Sequence, residues 1–600
     1  MPALFSRATD SETVPGRIIA LAALPRAVAD SERMTTANDP GPAPSAARDI
    51  RWLLLGFGLL YLFLLGRLPL ANPDESRYAE IPREMLARGD WVRPYLNDVP
   101  YFEKPPLVYW TVGLARTLFG PGEFAARLTP ALFGLGGVLL LYAAGRSFAG
   151  RRAGLLAAAV LGTSLLYFGL ARILLLDMAV SVLMSATLVC FWLGVREPAG
   201  RKRQLLFLGL YASAALATLA KGLIGFLIPG AVMFLWLLIF NQWARLRPLH
   251  LPTGIALFLA LAAPWHVLAA LRHPEWAQFY FVQEHWERFT STGHLREEPV
   301  WFFGPVLLLG LMPWTGFLPA ALRESLAGGW ARRKENADAW FFVTWAAFIV
   351  LFFTKSQSKL IPYILPALPP LALLVGAWLA RRWDEGAAAR PRLRFGFGAW
   401  AFFAGLLAVA LIFAVLKPGL IRDPAQVAAL RPYAFGLAAV LAAGGVFAPW
   451  AAKLRGAAAG VGALLFTMAI FYGGLVLASP HFARAGAKEL GLVARERIPA
   501  GEPVFHYWMF LHDFVYYSER PVGLVGYKDE LQIQFLDAEE RARRFVTDAE
   551  LRRRWAGPER LWLVVRKRDQ RHAESVFADA AFRYHLIADT PVYSLLSNRP

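Results

Sequence analysis

The sequence predicts a polytopic α-helical membrane protein with about 13 transmembrane helices and a small C-terminal α/β domain on the outer face. Three observations carry that expectation. Of 600 residues, 56% are apolar and 18% are charged, whereas soluble domains carry about 25% charge. Apolar runs of about 20 residues, long enough for a hydrocarbon core of roughly 30 Å, recur through most of the chain. Lys and Arg collect in alternate short loops, the pattern that sets orientation in a bilayer.

Residues 1–50 are rich in Ala, Ser, Pro, Thr and Asp and read as a disordered tail. Spans then follow at 52–71, 127–147, 153–171, 177–195, 204–220, 222–240, 251–270, 301–320, 340–354, 360–380, 395–416, 433–451 and 457–478. Basic clusters such as Arg151/Arg152, Arg201/Lys202/Arg203 and Arg381/Arg382 occupy one set of loops, which places those loops and the N-terminus in the cytoplasm. The alternate set faces outward, with long polar loops at 72–126 and 271–300 and everything after 479. Within the first of these, Ile81–Arg88 is amphipathic enough to lie along the interface. Residues 51–479 thus form a membrane domain. Residues 480–600, where strand-like Pro503–Tyr507 and Leu561–Val565 alternate with helical Ala549–Trp555, form a separate α/β domain.

The formal net charge of +19 does not point to nucleic acid. Many of the charges set topology, and no contiguous basic face interleaved with aromatics stands out. Cys190, the single cysteine, rules out an intrachain disulfide.

The polar residues of the outward loops are the candidates for chemistry. Asp74 and Glu75 follow the first span directly, an acid pair suited to activating a nucleophile or holding a cation; the plainer alternative is a helix cap by Asp74. Lys104, in Tyr101-Phe102-Glu103-Lys104-Pro105-Pro106, holds a lipid phosphate or snorkels toward headgroups, and Glu103 is its ion-pair partner or a metal ligand. Asp177 interrupts an apolar run at the outer end of a span. At that depth a carboxylate needs a cavity or a partner, for which Arg172 is a candidate. Lys221 sits similarly between two spans. In the second loop, His285 is a metal-ligand candidate, with Glu103 a possible second, although no His-Glu-x-x-His spacing supports a preformed site. Arg288 suits bidentate phosphate binding or pairing with a neighbouring Glu. Lys355 and Lys359 precede Tyr363, an arrangement that suits phosphate recognition or interfacial anchoring. All these groups fall on one side of the membrane, which suits a substrate with a phosphorylated head and a tail dissolved in the bilayer.

Asp74-Glu75-Ser76-Arg77-Tyr78-Ala79-Glu80-Ile81, Arg83-Glu84-Met85-Leu86, Gly89-Asp90-Trp91 and Tyr101-Phe102-Glu103-Lys104-Pro105 resemble the first outer loop of bacterial GT-C glycosyltransferases. Within these, the resemblance is to the lipid A aminoarabinose transferases, themselves similar to protein O-mannosyltransferases, and it covers roughly residues 50–480. It implies a GT-C fold in the bacterial inner membrane and inverting transfer of a sugar at the periplasmic face. The implied donor is an undecaprenyl-phosphate-linked sugar, 4-amino-4-deoxy-L-arabinose first, and the implied acceptor is lipid A. Transfer of a hexose to a protein or another glycolipid stands second. A flippase or transporter is the rival of another class, although no two-fold hydropathy symmetry stands out. Carried over, Asp74 is the key acid, with Glu75 and Asp177 as further catalytic candidates. Lys104, Arg288 and Tyr363 hold the donor phosphate, and Arg77, Tyr78, Tyr101 and Lys221 line the cavity. No cofactor is required, and Glu103 with His285 would hold a divalent metal if one is used. The chain is expected to work as a monomer without nucleic acid.

Overall fold

The computed structural model describes residues 45–274, 276–280, 298–421, 423–482, 486–526, 531–576 and 583–600. The chain divides into two compact units, Met1–Trp52 and Leu53–Pro600. Of the first, the described residues 45–52 open helix α1 (Ala46–Leu62). The second carries all other elements.

Among the described residues nine helices are long and apolar enough to cross a membrane, or ten if Phe303–Gly310 and Thr315–Ser325, bent by 102°, form one span. The expectation of about 13 spans differs at identifiable places. Two of its segments run on as one 41-residue helix, broken where Ala149 and Gly150 leave helical dihedrals. Gly150 has φ 89°, a value at which a Cβ is costly. Helices α1 and Ile224–Phe240 have 17 residues each. At 1.5 Å per residue that is roughly 26 Å, at the lower limit for a span.

The first loop folds into helix α2 (Asp74–Arg88) and a hairpin of β1 (Tyr95–Leu96) and β2 (Val99–Pro100). Asn97 and Asp98 make its turn, both at φ 57°, a conformation these two residue types tolerate better than most. Helix α2 does not simply lie along the interface. Glu75, Ser76, Arg77, Glu80 and Glu84 are all buried, and the helix packs against His512–Ser518 on one side.

Helix α3 (Glu123–Thr163) is the long broken helix; α4 (Leu176–Arg196), α5 (Arg201–Lys221) and α6 (Ala337–Lys355) are further spans. Beyond them, strands appear at Val504–Tyr507 (β3) and Trp562–Arg566 (β6) and a helix at Asp548–Trp555, where the sequence predicts them. With β4 (Gly523–Val525), β5 (Phe545–Val546), β7 (His585–Asp589) and β8 (Tyr593–Ser597) they form one sheet of order β5-β4-β3-β6-β8-β7. Strands β3 to β6 are parallel; β7 and β8 add antiparallel. Side chains alternate with the period of two that strands impose. His506 faces helix α7 (His512–Ser518), its ring 4.9 Å from that of Phe514. Phe505 and Tyr507 point the other way, into a core with Leu551 and Trp555 of α8 (Asp548–Trp555) and Ala573 of α9 (Lys567–Val576).

This sheet is bound to the first loop by side chains that satisfy backbone. Asn97 Nδ2 donates to the Val522 carbonyl at 3.0 Å, and its Oδ1 accepts from the Val522 N–H at 2.7 Å. Gln532 accepts from the Phe102 N–H at 3.2 Å. Arg116 pairs with Glu519 at 3.1 Å.

Candidate active site

A cavity of about 350 Å³ lies where the first loop meets the ends of the spans nearest it. Asp74, Arg77 and Tyr78 reach it from α2, and Glu103 and Lys104 from the segment after the hairpin. Asp177 comes from the first turn of α4, Lys221 from the last turn of α5, and Tyr363 from the short helix Ile361–Ala367. Residues separated by almost 300 positions therefore share one wall.

The helix period explains the contribution of α2. Positions 74, 77 and 78 stand one turn apart on a single face. Glu75 is rotated away by about 100° and does not line the cavity. Its carboxylate meets the Arg127 guanidinium in a buried two-point contact, Nε to Oε1 at 2.8 Å and Nη2 to Oε2 at 2.7 Å. It also accepts the N–H groups of Ala71 at 3.0 Å and Leu174 at 2.9 Å. Arg127 in turn donates to the carbonyls of Leu65, Leu68 and Pro69. Glu75 is thus a staple between the loop and the approach to α4.

Asp74 is not the helix cap that its position suggests. Pro73 occupies that place without a side-chain cap bond, and the Asp74 carboxylate lies 3.5 Å from Arg77 Nη1 with 54% of its side chain exposed. It is the accessible carboxylate of the cavity. Asp177 differs: its Oδ1 lies 2.5 Å from Lys221 Nζ, and both side chains are only 14% exposed. Arg172, the sequence candidate for its partner, instead donates to the carbonyls of Leu60, Tyr61 and Phe63. Lys221 also sits 5.0 Å over the Tyr363 ring, so Asp177, Lys221 and Tyr363 form one chain of contacts.

Lys104 Nζ donates to the Glu103 carbonyl at 3.0 Å and stands 4.0 Å from the Glu103 carboxylate. Burial pushes the Tyr78 phenol up, which keeps its proton available for donation. Tyr101 is buried and does not line the cavity. Neither Lys355 nor Lys359 lines it either; between them Ser356 and Ser358 do. The apolar wall, which includes Met184, Ile224, Phe352 and Phe353, carries no signal in the sequence, since such residues are ordinary in spans. Burial lowers the His273 pKa to about 4, and its ring packs 4.7 Å from Phe102, so this histidine belongs to an aromatic core. Arg288 and His285 lie outside the described residues. Among the described residues no three His, Cys, Asp or Glu side chains converge in a way that could hold a metal ion.

The profile of the family "Dolichyl-phosphate-mannose-protein mannosyltransferase" matches residues 68–280, which include the first loop, Asp177 and Lys221. The chain is 34% identical over 371 residues to the undecaprenyl phosphate-alpha-4-amino-4-deoxy-L-arabinose arabinosyl transferase of Edwardsiella ictaluri, a match covering 61% of this chain and 65% of that protein. The protein of that name from Aeromonas salmonicida is 35% identical over 338 residues, 56% of this chain and 61% of the relative. The matches therefore span slightly less than two thirds of the relatives' length. The crystal structure of ArnT from Cupriavidus metallidurans bound to undecaprenyl phosphate aligns with a TM-score of 0.81 at 27% identity, covering 92% of this chain and 98% of that one. Its apo form gives a TM-score of 0.78 at 28% identity, with the same coverage. The resemblance read from the first loop is met, and the fold is that of these membrane proteins.

Proposed function

We propose that this chain is a GT-C glycosyltransferase that moves a sugar from undecaprenyl phosphate to a glycolipid, 4-amino-4-deoxy-L-arabinose to a lipid A phosphate being the favoured pair. The observation that supports it most is the cavity itself: an accessible carboxylate, Asp74, set against Lys104, Lys221, Tyr78 and Tyr363, beside an apolar wall. The likeness to a protein crystallised with undecaprenyl phosphate agrees with it.

In this reading the bond between the anomeric carbon and the donor phosphate oxygen breaks as the acceptor oxygen attacks from the opposite side, inverting the centre. Charge gathers on the departing phosphate. Lys104 meets it as a fixed cation, with the Tyr78 and Tyr363 hydroxyls as donors, and the phosphate leaves on its prenyl chain along the apolar wall. Asp177, which lines the cavity, holds Lys221 over Tyr363. Asp74 orients the acceptor and takes its proton where one is present. A lipid A phosphate is already largely ionised, so placing it counts for more than base strength.

Incubation of the purified protein with lipid A and the undecaprenyl-phosphate-linked aminopentose should add one sugar mass to lipid A. An unchanged mass removes this substrate pair. The match to the mannosyltransferase family favours a hexose as the second donor to test in the same assay. Lys104→Ala should slow transfer by about 10²–10³-fold, the effect of removing one preorganised charge-stabilising donor; a rate near wild type removes Lys104 from phosphate binding. Transfer should proceed unchanged after exhaustive chelation, and loss of activity restored by a divalent ion would make Glu103 a ligand. The cavity opens to the periplasm of the bacterial inner membrane, so a periplasm-dependent reporter fused after Pro600 should be active, and a cytoplasmic signal reverses the orientation.

A further inference from the structure

The parallel part of the C-terminal sheet runs β5-β4-β3-β6. The chain moves outward from β3 through β4 to β5, then returns to add β6 on the free side of β3. Strand order thus reverses between β3 and β6. Their connections leave on opposite faces, since β3 leads to α7 on the His506 side and β6 leads to α9 on the Tyr507 side. In open α/β sheets ligands bind in the crevice outside the carboxyl ends of the strands that flank such a reversal. Val522, just before β4, carries the contact with Asn97 of the first loop. That loop is therefore at the amino edge, and the carboxyl ends point away from it.

The carboxyl edge carries an unusual residue. Trp508 follows β3 directly, is 47% exposed and has φ 50°, which is uncommon for a bulky side chain and persists only where its surroundings fix it. They do so here. Its N–H donates to Val525 O at 3.0 Å, and its ring stacks 5.5 Å from that of Tyr507. The indole also rests on Gly526, where a Cβ would come within 2.6 Å of it. From across the reversal, the exposed His572 of α9 brings its ring to 4.3 Å from the same indole. Beside this pair, Asp569 lies 3.8 Å from Arg566 and 3.5 Å from Arg568.

We infer that this crevice is a saccharide-binding subsite, with Trp508 and His572 as its platform and Arg568 and Asp569 as partners for sugar hydroxyls. A pyranose presents a face of C–H bonds that packs against an aromatic ring, while its hydroxyl rim both donates and accepts. An aromatic surface bordered by acid and base together matches that duality; a site for phosphate alone would need only the cations. The inference deepens the acceptor half of the proposed function, because a glycolipid acceptor presents sugars above the membrane surface, and it rests on that reading for the source of the sugar.

Calorimetric titration of the detergent-solubilised full-length protein with chitobiose, a soluble hexosamine disaccharide, tests it. Saturable binding is expected, weakened about tenfold by Trp508→Ala and by His572→Ala, as loss of an aromatic contact implies. Lys104→Ala should bind as wild type does, and inorganic phosphate should not compete. His572 lies on an exposed helical surface, so its variant serves even where Trp508→Ala disturbs folding. Absence of binding, equal binding by wild type and both variants, or loss confined to Lys104→Ala overturns the inference. No sugar is transferred in this measurement, so its failure is distinguishable from failure of the transfer assay.

Discussion

Asp74→Asn is expected to lower kcat by roughly 10²–10⁴-fold, the range for a positioned group that handles a proton in the transition state. The exchange preserves shape and removes only the charge. Asp74 is more than half exposed, and its contact with Arg77 is a loose 3.5 Å. Stability should therefore stay within about 0.5 kcal/mol of wild type, as for most surface substitutions. Donor affinity should change little if Lys104 and the phenols hold the phosphate. The assay is lipid A mass against time under saturating donor, with thermal unfolding measured alongside. A variant that turns over at the wild-type rate would show that the acceptor is oriented by other groups.

Arg127→Ala is expected to have the opposite profile, with its main effect on stability. The guanidinium meets the Glu75 carboxylate at 2.7 Å, and both side chains are at most 5% exposed. Removing it strands a buried carboxylate and leaves the carbonyls of Leu65, Leu68 and Pro69 without their donor. Breaking a buried pair in this way costs about 3–5 kcal/mol. A fall of many degrees in unfolding temperature, or failure to accumulate in the membrane, is the expected outcome. Glu75→Gln combined with Arg127→Gln should recover part of the loss, since no lone charge is then buried. If the single variant unfolds at the wild-type temperature, the staple contributes nothing and Glu75 returns to the list of catalytic acids.

The contrast between these neighbours shows where sequence reading ends. Adjacent letters, Asp74 and Glu75, look like one acid pair, yet the helix sends one into the cavity and the other to Arg127, 52 residues away. The broad architecture needed no such information. Twenty-residue apolar runs, basic loops and short alternating strands are local periodic signals, set by the bilayer thickness and by the geometry of helix and strand. The first loop was legible because its polar residues cluster directly after an apolar span and resemble the first outer loop of GT-C glycosyltransferases.

What sequence could not supply were pairings across long separations. Asp177 finds Lys221 rather than Arg172, and Lys221 covers Tyr363, only because α4, α5 and the helix Ile361–Ala367 end together at one surface. Asn97 meets Val522 across 425 positions, and Trp508 meets His572 because β6 returns beside β3. The sequence by itself determined a membrane-spanning helical protein with a charged first loop and an α/β end, since those follow from local hydropathy, charge and period. The tertiary structure alone decided which charges share the cavity, which serve as a staple, and which aromatic rings meet at the edge of the sheet. Those outcomes depend on how helices and strands pack, and neighbouring residues do not encode which distant element will be beside them.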